Sequence, residues 1–126
     1  MSIFKDCDIR GIYGTELNED DARKIGRAIG IKLAGRDITV AGDVRVSTPA
    51  LKAALINGLK EECAVINDIG IVPTPVAYFA KKTYGLAIVT ASHNPAEYNG
   101  IKLMFGDSAI TSQDIQELRK ITETLK

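Results

Sequence analysis

With 126 residues the chain has the length of one domain, enough to bury a real core and too little for a second. Hydrophobic residues make up 45% and charged ones 25%, and sixteen basic side chains balance sixteen acidic ones, so no global field draws the chain to nucleic acid or to a membrane surface. No apolar run is long enough to span a bilayer and no signal-peptide core follows Met1, so Cys7 and Cys63, which lack metal-ligand spacing, are expected as reduced thiols in a cytoplasmic protein.

In chain order, Ile3-Phe4 is a short apolar piece, and residues 5–14 read as a loop rich in charge and glycine, carrying Asp6, Asp8, Arg10, Gly11 and Gly14. Residues 18–35 read as a helix: Asn18 can cap it, Glu19, Asp20 and Asp21 suit its positive end, and Ala22, Ile25, Ala28, Ile29 and Leu33 recur at helical spacing. Residues 38–41 form a short β-branched run of the kind buried in a parallel sheet, and 42–47 are the loop after it. Thr48-Pro49 then offers a cap and a proline at the first helical position, opening a helix whose face is Leu51, Leu55 and Leu59. The pattern repeats with a strand at 64–66, a loop at 67–73, and a helix from Thr74-Pro75 to about Tyr84 with Val76, Phe79 and Ala80 inward. A third strand at 86–89 runs into a loop. The apolar run 101–105 returns too soon for a helical crossover, so this fourth strand is expected antiparallel to its neighbour. Residues 111–126 close the chain as a helix with Thr111 and Asp114 as a capping box and Ile115, Leu118, Ile121, Thr122 and Leu125 facing in.

The expected fold is α/β, a three-layer α/β/α sandwich over a mixed, mainly parallel four-stranded sheet with its last strand antiparallel. Right-handed crossovers bring the loops after the first three strands to one sheet edge, where open α/β domains bind ligands. Arg45, Ser47, Thr74 and Ser92 gather there, and the helix starts at Thr48 and Thr74 aim the positive ends of their dipoles at it, unless the two threonines simply cap. Asp43, Arg45 and Ser47 either brace their loop mutually or act directly in catalysis.

The stretch 90–102, TASHNPAEYNGIK, concentrates the chemistry. Asn94-Pro95 interrupts regular structure and leaves Ser92 on a bend; Asn99-Gly100 supplies a second bend that returns Lys102 toward the loop. A hydroxyl facing a cation suits a nucleophile or a phosphoryl carrier, although a polar surface loop with Ser92 and His93 capping turns fits the same composition. The other common sites are missing. There is no GxSxG elbow, no GxGxxG or GxxxxGK[ST] loop, and no set of zinc ligands.

Read whole, TASHNPAEYNGIK resembles the phosphoserine signature of the α-D-phosphohexomutases, the superfamily of phosphomannomutase and phosphoglucomutase. FKDCDIRG at residues 4–11, AGDVRVSTP at 41–49 and IGIVPTP at 69–75 agree in order and spacing, and the wording is closer to the phosphomannomutase/phosphoglucomutase branch than to the phosphoglucosamine mutases. The resemblance implies that phosphorylated Ser92 exchanges its phosphoryl group with a hexose 1-phosphate or 6-phosphate through a bisphosphorylated sugar, with hexose 1,6-bisphosphate as activator. It implies Mg2+ ligated through the Ser92 phosphate, and Arg10 and Lys102 as cations near the transferred group. His93 is a further catalytic candidate, or else orients the loop, and Asp43, Arg45, Ser47, Asn94 and Asn99 support it. Without the resemblance, Arg10 reads as a surface partner of Asp6 or Asp8, and Asp6-x-Asp8 is a thin case for magnesium.

Two departures stand out. Cys7 sits where the family commonly has tyrosine. More important, family enzymes have four domains, the second with an aspartate-rich metal loop, the third reading the sugar and the fourth gripping the distal phosphate, and this chain resembles the first alone. It is expected to be a piece or remnant of such an enzyme, with domains two to four as its missing partners and no sugar turnover by itself. The competing expectation is a stand-alone, non-catalytic α/β module that binds phosphate or a partner protein at the Ser92 edge.

Overall fold

The architecture, taken from a computed structural model that describes residues 3–62 and 64–125, follows from which strand faces are apolar. Ten elements alternate along the chain: β1 (Ile9–Ile12), α1 (Glu19–Leu33), β2 (Asp37–Gly42), α2 (Thr48–Glu61), β3 (Val65–Ile71), α3 (Thr74–Ala80), β4 (Gly85–Val89), β5 (Tyr98–Phe105), β6 (Ser108–Ala109) and α4 (Ser112–Thr124). The strands form one mixed sheet in the order β1-β5-β4-β2-β3, with β6 paired to β5. β2 is parallel to β3 and to β4, whereas β5 is antiparallel to β4, β1 and β6.

Helices cover both faces, as expected, but the sheet has six strands where four were expected. The largest addition is β1, in the stretch read as a loop. Its alternation of buried Ile9 and Gly11 with half-buried Arg10 and Ile12 is that of a strand, and its pairing partner is the distant β5, which local charge and glycine content conceal. The β1–β5 approach is close enough to require Gly100, because a Cβ there would lie 2.1 Å from the Ile9 carbonyl oxygen. Asn99-Gly100 is therefore no bend: both residues lie inside β5, paired with Gly11 and Arg10.

One face is thick. Ile38 and Val40 of β2, Ala87 and Val89 of β4, Ile101 and Leu103 of β5 and Ile9 of β1 pack against the apolar faces of α1, α2 and α4. The helix faces read from the sequence are the buried ones: Ala22, Ile25, Ala28, Ile29 and Leu33 on α1, Leu51, Leu55 and Leu59 on α2, and Ile115, Leu118 and Thr122 on α4. The predicted capping box of Thr111 with Asp114 forms, and Asn18, expected to cap α1, does so in a second box with Asp21. α1 and α2 touch backbone to backbone, since a Cβ on Gly58 would sit 1.9 Å from the Arg23 carbonyl oxygen and one on Gly26 2.2 Å from that of Leu55.

The other face is thin. Ala41, Leu86 and Ile88 are covered there by Ala77 of the seven-residue α3, with Ile69, Val72 and Met104 half-buried around them. α3 ends at Ala80, short of the expected Tyr84, and of the three side chains expected inward Val76 and Phe79 point outward while Ala80 is half-buried; the one fully buried side chain is Ala77, because a two-turn helix lying flat on a sheet can bury only one narrow stripe. β3 also runs to Ile71 through residues expected to form a loop, held as the edge strand by its ladder to β2 and by the ion pair of Lys52 with Asp68. No described helix is long and apolar enough to cross a membrane. Cys7 is exposed and unpaired, while Cys63 and Lys126 lie outside the described residues.

Candidate active site

Three loops meet at the carboxyl ends of the parallel strands. β4 delivers Thr90, Ala91 and Ser92; β2 delivers Asp43 and Arg45; α3 begins beside them at Thr74. Asp43, Thr74, Pro75, Thr90, Ser92, His93 and Lys102 line one cavity of about 430 Å³. Sheet register explains the meeting. Gly42 pairs with Val89, so the next residues, Asp43 and Thr90, fall side by side. Lys102 lies opposite Ile88, so its side chain shares the thin face with them.

Ser92 is exposed and adopts φ +54°; besides Ala34 at the end of α1, it is the only described non-glycine residue with positive φ. A serine in this left-handed region carries a conformational cost that its surroundings must offset. They do so through one guanidinium. Arg45 donates from Nη2 to the carbonyl oxygens of Ser92 and Asn94, each at 2.8 Å, and from Nη1 to those of Pro95 (2.8 Å) and Tyr98 (3.0 Å). Its Nε donates to Asp43 Oδ2 at 3.3 Å. All five donors of Arg45 are thus spent on the loop, leaving none for a phosphate. Asn94 tightens the turn, donating from Nδ2 to the Ala91 carbonyl at 2.8 Å.

Asp43 is the hub. Its carboxylate accepts from Thr90 Oγ1 (2.7 Å), Thr48 Oγ1 (2.8 Å) and the Arg45 amide (3.1 Å) as well as from Arg45 Nε. Burial alone would raise its pKa; the hydrogen bonds from Thr90, the Arg45 amide and Thr48, with the Arg45 charge, outweigh it and hold the group below the ordinary carboxylate value. Fully buried Asn99 extends the network, donating from Nδ2 to Ser47 Oγ at 2.8 Å and Thr48 Oγ1 at 3.0 Å. Thr48 is therefore no cap. Ser47 holds the cap position of α2 without a side-chain hydrogen bond, and Pro73 rather than Thr74 precedes α3.

Of the four residues read as catalytic, the structure brings Ser92, His93 and Lys102 to one cavity. Half-buried Lys102 has no carboxylate partner among the described residues, and the hydroxyl of Ser92 and the imidazole of His93 have no hydrogen-bond partner among them. Arg10 stands outside the cavity lining. It lies opposite Gly100, itself bonded to Thr90, so its side chain shares the thin face with Lys102, and its nearest carboxylate is Asp8 at 4.0 Å. Thr90 has no role of its own in the sequence reading, and Thr48 has only that of a helix start or cap. Aligning the predicted runs 38–41 and 86–89 end to end would have set Asp43 beside Ala91; only the observed register, with Gly42 opposite Val89, sets it beside Thr90.

The donor set does not make a metal site. Among the described residues no three His, Cys, Asp or Glu side chains group as ligands, and the one carboxylate lining the cavity is saturated by four donors.

This fold has counterparts. The family model for phosphoglucomutase/phosphomannomutase, alpha/beta/alpha domain I, matches residues 1–126, and the chain belongs to that family. A phosphomannomutase from Salmonella montevideo is 44% identical over 94% of this chain, which spans 28% of that protein. A shorter phosphomannomutase sequence from Klebsiella pneumoniae is 42% identical, with 98% of this chain and 82% of that sequence covered. The crystal structure of a phosphoglucomutase/phosphomannomutase family protein from Burkholderia thailandensis superposes with a TM-score of 0.90 at 40% identity, over 98% of this chain and 30% of that one.

Proposed function

We propose that this chain is the phosphoserine-bearing domain of a hexose-phosphate mutase, with Ser92 as the phosphoryl carrier. The observation that carries the reading is the exposed Ser92 hydroxyl, fixed on a left-handed bend without a hydrogen-bond partner among the described residues and sharing its cavity with the unpaired cation Lys102. In the forward half-reaction a sugar hydroxyl attacks the phosphorus on Ser92. The bond from Ser92 Oγ to phosphorus breaks, a sugar bisphosphate forms, and the sugar proton passes to a base or to the departing serine oxygen. The reverse transfer, from the other sugar position, restores phosphorylated Ser92 and releases the isomer.

Such transfers depend mainly on position and on neutralising charge. Lys102 supplies a positive charge on the same cavity, His93, also on its lining, is the candidate for moving a proton, and Arg45 and Asp43 hold the carrier in position. Arg10 meets the sugar phosphate or the phosphoryl group from the β1 side. Among the described residues the donors supply no magnesium site, so no step is assigned to the metal; Mg2+ would need ligands from a companion segment. The relatives that this chain covers by less than a third are named phosphomannomutase or phosphoglucomutase, and from them we take mannose or glucose phosphates as the substrate class. With sugar-reading and metal-holding parts elsewhere, the 126-residue chain should not turn over sugar phosphates alone.

The test is intact-mass analysis after incubation with glucose 1,6-bisphosphate and Mg2+, with the remaining domains of a relative supplied in trans. One phosphoryl group should be gained, and none in Ser92→Ala. No gain by the complemented wild-type chain, or an equal gain by the variant, would favour a non-catalytic phosphate- or partner-binding module.

A further inference from the structure

The peptide units on both sides of Ser92 are tied to one carboxylate. On the carbonyl side, Arg45 Nη2 donates to the Ser92 oxygen at 2.8 Å while its Nε donates to Asp43 Oδ2. On the amide side, the Ser92 N–H donates to Thr90 Oγ1 at 3.0 Å, and that hydroxyl sits 2.7 Å from the same Oδ2. A threonine hydroxyl has one proton. The ionised carboxylate can only accept, so the proton points to Asp43 and the hydroxyl lone pairs are left for the Ser92 amide. This direction polarises the Thr90 oxygen and makes it a better acceptor.

We propose that Thr90 is a positioning residue, one arm of a two-armed clamp from Asp43 that holds Ser92 in its left-handed conformation and its hydroxyl toward the cavity. The inference rests on Ser92 as phosphoryl carrier for its functional meaning, while the clamp itself stands on geometry. Thr90 is almost completely buried, so water is a poor substitute for its hydroxyl. Valine there would keep the shape and strip two partners at once, Asp43 Oδ2 and the Ser92 amide. Serine would keep both. Thr48 is the natural control, because it donates to the other oxygen, Oδ1, and has no bond to Ser92.

The experiment is residue-resolved amide hydrogen exchange by NMR on the full chain, normalised to global stability, for wild type, Thr90→Val, Thr90→Ser and Thr48→Val. In wild type the Ser92 amide should be protected relative to that of His93; equal exchange at the two would overturn the clamp without any variant. Thr90→Val should speed Ser92 exchange by about tenfold, the factor a net hydrogen bond to a polarised group is worth. Thr90→Ser should return it to within about twofold of wild type, and Thr48→Val should leave it there. Unchanged Ser92 exchange in Thr90→Val, or no rescue by serine, overturns the proposal.

A second readout separates the two readings. In the complemented loading assay, Thr90→Val should lower the rate at saturating bisphosphate and leave its half-saturating concentration unchanged. A slowed amide signature with no phosphoryl uptake by wild type would sink the phosphoserine reading and leave the clamp standing.

Discussion

The two faces of the sheet are held by different physics. On the thick face, three helices of 13 to 15 residues bury a continuous apolar cluster, and the force is non-directional area removed from water. On the thin face, a seven-residue helix buries one alanine, and the neighbouring carboxyl edge is ordered by oriented hydrogen bonds that converge on Asp43 and Arg45. The first arrangement tolerates small shifts wherever backbones do not touch. The second fixes individual atoms, which is what the proposed phosphoryl carrier requires.

The largest effects should come from breaking the thick face. Leu55→Ala, at a fully buried position, should cost about 2–5 kcal/mol by chemical denaturation. Gly58→Ala should be comparably severe, although it adds only a methyl group. That group would meet the Arg23 carbonyl at 1.9 Å, so α1 and α2 must part along their length. A loss below about 1 kcal/mol for Gly58→Ala would mean the helices are not in backbone contact.

At the carboxyl edge the expected losses are smaller and of another kind. Asp43→Asn keeps the shape but turns one accepting oxygen into a donor, facing either Thr90 and Arg45 Nε or Thr48 and the Arg45 amide. We expect a stability loss of about 1–3 kcal/mol, with changes in the NMR spectrum centred on residues 90–98. Acid sharpens the comparison. Asp43 and Asp114 both titrate below the ordinary carboxylate value. For Asp114, burial opposes the shift, and the Thr111 amide and hydroxyl with Lys32 drive it. A depressed carboxylate contributes its full stability above the unfolded value of about 3.9 and loses it as pH falls through the lower folded value. Denaturation between about pH 5 and pH 2 should therefore show falling stability in wild type and a shallower fall in Asp43→Asn. The share from Asp114, on the helix that caps the thick face, should persist in that variant.

The thick face was legible in the sequence because helical periodicity is local: Ile25, Ile29 and Leu33, or Leu51, Leu55 and Leu59, announce their faces within one element. Ser92 and Lys102 were legible because the proline bend and the short return between two apolar runs bring them together. What escaped depended on partners far along the chain. β1 is a strand only through its ladder with β5, and Asn99-Gly100 lost its bend to the same ladder. Val76 and Phe79 fit a helical period yet face out, because nothing in the pattern tells how thin a layer the helix forms. Thr48 passes for a cap until its hydroxyl is seen to donate to the carboxylate of Asp43, five residues back.

The thin face should be the more forgiving to mutation. Phe79 is 92% exposed, so Phe79→Ser should change folding stability by no more than about 0.5 kcal/mol while raising the concentration at which the chain stays soluble. A larger loss would show that α3 depends on this ring.

A last comparison, of a gain rather than a loss, sets side by side the two left-handed non-glycine residues among those described. Ala34 and Ser92 have nearly the same φ, +52° and +54°, but different reasons for it. Ala34 ends α1, where its amide reaches back to the Gly30 and Ile31 carbonyls, and its side chain is exposed. Nothing there needs a Cβ, and Ala34→Gly should stabilise the chain by up to about 1 kcal/mol, because relief of left-handed strain exceeds the added freedom of the unfolded glycine. At Ser92 the same relief comes with loss of the hydroxyl itself. Ser92→Gly should stabilise to a similar degree and abolish phosphoryl uptake, so that the pair of variants, followed by thermal denaturation, separates strain kept for geometry from strain kept for chemistry.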